Sequence, residues 1–110
     1  MAELDQTAND TLDALQQRGA AFLGTRHAIL GGAMSWVSER HLVSAISNAG
    51  GFGVIACGAM PPALLEKEIE ATKALTDKPF GVNLITMHPQ LDELVQVLSL
   101  IHISEPTRPY

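Results

Sequence analysis

The chain alternates short apolar runs with longer segments of helical periodicity. The runs occupy residues 26–30, 53–56 and 80–84, and after each one apolar residues recur every three or four positions. Strands connected through helices run parallel with right-handed crossovers, so the pattern predicts an α/β fold with helices covering a sheet. The runs are short and uniformly apolar, as in strands that are buried on both faces. A closed barrel and a doubly wound open sheet both satisfy this pattern.

Turn-forming residues mark the ends of the predicted helices. Ser38 is the expected N-cap of a helix that ends at Gly50, with Glu39 favourably placed near the positive helix end. The next helix is expected to begin at the Pro61-Pro62 pair and to end near Thr76. A further helix follows Pro89.

The sequence divides into three predicted segments. Residues 1–25 form an N-terminal helical leader, in which residues 9–18 are a short surface helix that ends before Gly19. Residues 26–97 carry the three β/α units. The remaining segment, residues 98–110, is expected to be a non-native tail.

The tail is singled out by its sequence. Residues 98–108 read LSLIHISEPTR, which resembles the translation of a transposon adapter used in preparing sequencing libraries. Ile101, His102 and Ile103 are expected to break the apolar stripe of the last helix, and two prolines follow them. The native sequence is therefore expected to stop at Val97.

Composition narrows the classes of function. A net charge of −5 argues against nucleic acid as a partner, because phosphate contacts need clustered Lys and Arg. No apolar stretch reaches the roughly 18–20 residues that cross a bilayer, and residues 1–18 do not look like a secretory signal. The single cysteine, Cys57, has no partner for an intrachain disulfide. These features predict a soluble, cytoplasmic protein whose hydrophobic fraction of 46% is ample for a core.

Small residues follow the first predicted strand and precede a helix. Gly32, Ala33 and Met34 stand where a backbone has to approach a ligand closely, since small side chains leave main-chain N–H groups accessible. Asn83 ends an otherwise apolar strand, where a buried amide needs a hydrogen-bond partner. The carboxyl ends of parallel strands open on one side of a sheet, so these residues and residues 57–59 are expected to converge on one rim. Such a rim suits a flat, uncharged ligand surface, although loop carbonyls satisfy Asn83 equally well.

Other polar and glycine positions favour structural roles. Gly50, Gly51 and Gly53 follow a helix and precede a strand, which indicates a turn and not a phosphate cradle. Cys57 is expected to be a small buried residue, because no histidine stands at a predictable distance. Trp36 is left open between packing in the rim and touching a ligand. No metal site is predicted.

Three motifs resemble those of a known family. The segments AILGGAMSWVS (28–38), NAGGFGVI (48–55) and DKPFGVNL (77–84) are similar to successive signatures of the nitronate monooxygenase and 2-nitropropane dioxygenase family. The same motifs occur in the related FMN-containing enoyl-acyl carrier protein reductases. Together they span most of residues 28–97, and their order along the chain makes them more specific than any one of them.

The resemblance implies the N-terminal portion, about three β/α units, of a (β/α)8 barrel that binds FMN. It further implies that Gly32, Ala33 and Met34 lie against the flavin and that Asn83 contacts it. Gly31 and Ala33 replace the Gln and the Gly or Pro of the commoner QGGM and QAPM patterns. An amide can both donate and accept, and so it can pair with the edge of an isoalloxazine ring.

Three functions remain open at this stage. The first is oxidation of alkyl nitronates with FMN and oxygen, and the second is NAD(P)H-dependent reduction of an enoyl thioester on the same flavin scaffold. The third is a small, non-catalytic binding protein. In the family, the catalytic histidine and the phosphate-binding loops belong to later β/α units, so His27, His41 and His88 are expected to have surface or packing roles and no catalytic residue is predicted in this chain.

Overall fold

The computed structural model describes the backbone of residues 2–103 and the side chains of residues 6–100. Helices and strands alternate after a long first helix, in the order α1 (Ala2–Leu23), β1 (Leu30–Gly31), α2 (Arg40–Asn48), β2 (Phe52–Ala56), α3 (Pro62–Leu75), β3 (Phe80–Asn83) and α4 (Leu91–Ile103). Within the described range, no helix is long and apolar enough to cross a membrane.

The three strands form one parallel sheet in the order β1-β2-β3. Gly31 pairs with Gly53, and Ala56 pairs with Asn83. Each pair of neighbouring strands is joined through a helix, so the predicted β/α alternation and the α/β class are confirmed. The three carboxyl ends point in the same direction, although β1 ends opposite Gly53, three residues before the ends of β2 and β3.

The core lies between the central strand and the helices that cover it. Ile55 of β2 is fully buried, as are Val43 of α2, Leu65 of α3 and Leu94 of α4. Cys57, Met60 and Ile69 complete this cluster. Burial of a large aliphatic side chain stabilises a fold by about 1.5–3 kcal/mol, so contacts across β2 provide most of the cohesion of this unit.

The first strand is shorter and later than predicted. The sequence indicates residues 26–30, whereas β1 comprises Leu30–Gly31. The segment before it still holds to the rest of the fold, since the amide of His27 donates to Gly50 O at 2.9 Å and the amide of Phe52 donates to Ile29 O at 2.8 Å. β1 pairs on one side only within the described residues, and Ile29 and Leu30 are 59% and 58% exposed. An apolar run predicts that a strand is present but not how many neighbouring strands pair with it. This explains why β1 is shorter than the apolar run that predicts it.

The first helix is longer than predicted. It continues past Gly19 to Leu23, and Gly24 with a φ of 72° ends it, with its amide donating to Ala20 O at 2.8 Å. Gly19 instead permits a close approach, because an added Cβ would lie 2.8 Å from the Cβ of Ala28. The glycine that looked like a helix stop is therefore a contact point between α1 and the segment leading to β1.

The N-cap of α2 is Glu39 and not Ser38. The Glu39 carboxylate accepts hydrogen bonds from the amides of His41 (2.9 Å) and Leu42 (3.1 Å). Slight desolvation raises the pKa of Glu39, but these amide bonds and the His41 ring outweigh it and hold the pKa below its usual value. Ser38 is thereby free for a different role in the preceding loop. The helix ends at Asn48, two residues before the predicted end at Gly50, which has a φ of 102°.

An ion pair between buried Glu68 and half-buried Arg40 joins α2 to α3. Glu68, only 7% exposed, accepts from the Arg40 side chain at 2.6 Å and from the Arg40 amide at 3.2 Å. The hydrogen bonds that the Arg40 guanidinium donates to the Glu68 carboxylate raise the pKa of Arg40. The predicted helix limits at Pro61-Pro62 and Thr76 are confirmed, because Pro61 caps the start of α3 and Thr76 its end.

The last helix runs further than predicted. The sequence suggests that Ile101–Ile103 break its stripe, whereas the backbone remains helical through Ile103. Leu98 is half-buried against the core cluster. The side chains beyond residue 100, and residues 104–110 entirely, lie outside the described part of the chain, and the non-native origin of residues 98–110 stays a prediction.

Candidate functional site

Two loops meet at the carboxyl edge of the sheet, one after β1 and one after β3. The amide of Ala56, the last residue of β2, donates to Ser38 O at 3.1 Å. The next amide, that of Cys57, donates to Asn83 O at 3.2 Å. Two consecutive amides of the central strand therefore join the first loop to the end of β3.

The loop after β1, residues 32–38, is held in shape by the Ser38 hydroxyl. Ser38 Oγ donates to Gly32 O at 3.1 Å and accepts from the amide of Met34 at 2.9 Å. The Ser38 side chain is 3% exposed, so water does not compete for these bonds. The loop is thus a fixed surface at the rim. Sequence reasoning missed this role because it assigned Ser38 to the helix.

Gly32 leaves open space at this edge. A Cβ added to Gly32 would meet no heavy atom within 4 Å, whereas one added to Gly31 would collide with the side chain of Ile46. Ala33 is half-buried and Met34 is 51% exposed. The predicted loop residues therefore present an accessible backbone stretch, with the neighbouring Gly31 set against the helix.

Asn83 is accessible at the same edge. Its carbonyl accepts from Cys57, while its side-chain amide makes no hydrogen bond to any described residue and is exposed. The sequence suggests a buried Asn83 side chain that needs a hydrogen-bond partner within the protein. The side chain is exposed instead, so it needs no such partner. Its amide can donate to and accept from a bound molecule.

Cys57 lies at the centre of this edge but beneath it. The residue is 1% exposed, and burial raises the pKa of its thiol. A thiol with a raised pKa is a poor nucleophile, because the thiolate is the reactive form. The expected packing role is confirmed.

His88, in the loop after β3, connects this loop to the loop after β2. Its Nδ1 accepts from the amide of Gln90 at 2.9 Å, which leaves Nε2 to donate to Met60 O at 2.9 Å. His41 is exposed and bonded to Glu39. His27 is half-buried beside the turn at Gly50. The surface or packing roles expected for all three are therefore what the described contacts show.

A depression of about 340 Å³ lies at the opposite, amino edge of the sheet. Two of its polar side chains make structural bonds: Ser47 donates to Pro79 O at 2.9 Å, and Asn48 accepts from Thr76 at 2.6 Å. This depression joins elements of the fold and gathers none of the predicted site residues.

Comparison with known proteins bears on what the carboxyl edge does. A family model described as nitronate monooxygenase matches residues 16–102. The chain belongs to the nitronate monooxygenase family. The match begins within the segment predicted as a leader and continues past Val97.

The relatives of this chain include a nitronate monooxygenase and a carboxyl-CoA dehydrogenase. A nitronate monooxygenase of Paraburkholderia phytofirmans is 41% identical over 75 residues, 67% of this chain and 20% of its own length. A (3aS,4S,5R,7aS)-5-hydroxy-7a-methyl-1-oxo-octahydro-1H-indene-4-carboxyl-CoA dehydrogenase of Rhodococcus jostii is 45% identical over 62 residues, 56% of this chain and 18% of its own length. The chain thus spans about a fifth of the length of these relatives.

Solved structures agree on the fold. FabK from Thermotoga maritima superposes with a TM-score of 0.72 at 44% identity, over 81% of this chain and 27% of that one. A nitroalkane oxidase from Streptomyces ansochromogenes superposes with a TM-score of 0.53 at 33% identity, over 70% of this chain and 22% of its own. The predicted fold, about three β/α units from the N-terminal portion of a (β/α)8 barrel, is confirmed, and the open doubly wound alternative is set aside.

Proposed function

We propose that this chain forms the first part of an FMN-dependent oxidoreductase that oxidises alkyl nitronates with oxygen. Family membership supports the class of enzyme. What supports the cofactor proposal is that the amides of Ala56 and Cys57 link the loop that begins at Gly32 to the end of β3 at Asn83, with Gly32 and Asn83 both open to a ligand. Within this proposal, residues 1–25 are a leader, residues 26–97 the flavin-binding part and residues 98–110 a foreign tail, and the enzyme acts in the cytoplasm on a small molecule without nucleic acid.

The residues at this edge suit an isoalloxazine ring. Gly32, Ala33 and Met34 offer backbone that a flat ring can approach, because no side chain stands over Gly32. Asn83 offers one donor and one acceptor to the ring edge. The Ser38 bonds hold the loop in place before the ligand arrives, which lowers the entropy cost of binding.

Bound FMN would supply the redox chemistry, and this part of the chain orients it. We assign no catalytic residue to the described residues. Cys57 is buried, and the ring nitrogens of His88 are both occupied by backbone partners. In this proposal, the proton-transferring group belongs to another part of the enzyme.

The second candidate is reduction or dehydrogenation of an acyl thioester on the same flavin scaffold. Its support is the 45% identity to a relative named as a carboxyl-CoA dehydrogenase, together with the similarity of the three motifs to FMN-containing enoyl-acyl carrier protein reductases. The carboxyl edge of the sheet is compatible with either candidate, because its residues would contact the flavin that both reactions use.

One assay separates the two candidates. The full-length enzyme is purified, and oxygen consumption with an alkyl nitronate is compared with NADH oxidation in the presence of an enoyl thioester. Nitronate-dependent oxygen uptake supports the proposed function. Turnover with the thioester alone replaces it with the second candidate, and a protein without bound flavin contradicts both.

A further inference from the structure

Trp36 adopts a backbone conformation that a bulky residue rarely takes. Its φ is 63°, and it is the single non-glycine residue with a positive φ among those that the structure describes. The amide of Val37 donates to Met34 O at 3.0 Å, so residues 34–37 form a turn with Trp36 at its third position. A positive φ at that position defines a type II turn, in which glycine is preferred. The tryptophan therefore occupies a place where glycine would be less strained.

The surroundings of the turn keep this conformation in place. The amide of Ser38 donates to Met34 O at 2.8 Å, and the Ser38 carbonyl is bonded to the end of β2 through Ala56. The turn also lies close to the next loop, since a Cβ added to Gly58 would sit 3.2 Å from Ser35 Oγ. Strained residues that persist in such fixed surroundings occur preferentially at functional sites.

Within this chain, which spans about a fifth of the length of its relatives, the strain gains no packing for the indole. Trp36 is 69% exposed, although a large aromatic side chain is usually among the more buried ones. Its neighbours Met34 (51%) and Val37 (54%) are exposed as well, and Met87, in the loop after β3, is 89% exposed. Large apolar side chains of the loops after β1 and β3 are thus exposed in the described part of the chain. Exposed apolar side chains beside a few polar groups are typical of a ligand-binding surface.

We propose that Trp36 is a specificity-determining residue that contacts the apolar group of the substrate, so that the enzyme favours substrates with an extended alkyl or acyl portion. In the proposed function Gly32 to Met34 lie against the flavin, and Trp36 lies two residues beyond Met34 in the turn of residues 34–37. In this proposal, a substrate that approaches a flavin held by these residues comes close to the indole. The inference rests on the proposed function for the identity of the reacting group, but the contact itself requires only an apolar ligand.

The test is direct binding of nitroalkanes of increasing length, from nitroethane to nitrohexane, to the full-length protein by calorimetry. Binding of these uncharged compounds does not depend on turnover. In the unmodified protein each added methylene is expected to tighten binding about two- to fourfold, which is the effect of burying part or all of a CH₂ group. In Trp36→Gly this dependence is expected to disappear, and in Trp36→Phe to be reduced.

Two controls exclude a structural explanation. Leu15→Ala removes an apolar side chain that is 79% exposed on α1, away from the rim, and should leave the dependence on chain length unchanged. Trp36→Gly should also be at least as heat-stable as the unmodified protein, because glycine suits the turn, whereas a purely structural tryptophan would lose stability on removal.

The outcomes separate the two proposals. Equal dependence on chain length in the unmodified protein and in Trp36→Gly, or no dependence in either, overturns the role of Trp36. FMN content is measured on the same samples. A protein that contains no FMN but shows the Trp36-dependent trend contradicts the proposed function and supports the apolar contact. A protein that contains FMN but shows no Trp36-dependent trend supports the proposed function and overturns the role of Trp36.

Discussion

Ser38 and Met34 are joined by two reciprocal hydrogen bonds. The amide of Met34 donates to the Ser38 hydroxyl at 2.9 Å, and the amide of Ser38 donates to the carbonyl of Met34 at 2.8 Å. Since the same hydroxyl also donates to Gly32 O, one small side chain fixes both ends of the stretch that we propose approaches the flavin. The shape of this surface therefore depends on Ser38.

Ser38→Ala is expected to loosen this loop. The variant removes the acceptor of the part-buried Met34 amide and the donor to Gly32 O, which costs about 1–2 kcal/mol in the free energy of unfolding. FMN affinity should fall by about tenfold, because part of the binding energy must then order the loop. Chemical denaturation and flavin titration measure the two effects. Ser44→Ala is the matched control, since the Ser44 hydroxyl donates only to His41 O within its own helix, and full flavin affinity in Ser38→Ala would contradict the account.

Glu68→Gln is expected to destabilise the contact between α2 and α3. The Glu68 side chain is 9% exposed and that of Arg40 is 30% exposed, so the guanidinium would lose its charged partner in a poorly solvated place. We expect a loss of about 2 kcal/mol in the free energy of unfolding, below the 3–5 kcal/mol of a fully buried pair because Arg40 retains some access to water. Glu66→Gln, on the exposed side of α3, should change stability by less than about 0.5 kcal/mol. Equal effects of the two substitutions would show that the ion pair contributes nothing.

The cap of α2 should make stability depend on acid pH. The pKa of Glu39 is lowered in the folded state, so its contribution is present above the unfolded-state value of 4.5 and is lost as pH falls through the lower folded value. Unfolding measured between neutral pH and about pH 3 should therefore show a smaller loss of stability in acid for Glu39→Gln than for the unmodified protein. Identical pH profiles would exclude this contribution from Glu39.

Cys57 should be unreactive in the folded protein. The side chain is buried and burial raises the pKa of its thiol, so modification by a thiol reagent should be slow until the protein is denatured. Cys57→Ala should keep activity while losing about 1 kcal/mol or more of stability, from the small cavity that it leaves. Rapid labelling of the native protein, or an inactive but folded Cys57→Ala variant, would assign the thiol a role in chemistry.

The sequence predicts the elements of this fold well where local signals are strong. The limits of α3 follow from Pro61 and Thr76, and β2 is apolar between two glycine turns, so both were placed within one residue. The convergence of the loop after β1 with Asn83 also follows from topology alone, because parallel strands share one carboxyl edge.

Features decided by tertiary contacts were not predictable in this way. Gly19 reads as a helix stop, but its lack of a side chain serves the contact with Ala28. Ser38 and Glu39 can both cap the helix. Glu39 does so in the structure, because the Ser38 hydroxyl is hydrogen-bonded within the preceding loop. Nothing in the sequence around Trp36 signals a positive φ, since residues at that turn position are usually glycine.

The central claim is that the carboxyl edge of the three strands binds FMN over Gly32, and Gly32→Val in the full-length protein tests it most directly. In the structure an added Cβ at Gly32 meets nothing within 4 Å, whereas one at Gly53 would collide with the carbonyl of Val43. Gly53→Ala therefore serves as the control for loss of fold. The measurement is FMN bound per protein chain, from the flavin absorbance of the purified variants, alongside the midpoint of thermal unfolding of each apoprotein. We predict that Gly32→Val unfolds at the same temperature as the unmodified apoprotein and retains almost no FMN, whereas a Gly32→Val protein with its full complement of FMN would contradict the account.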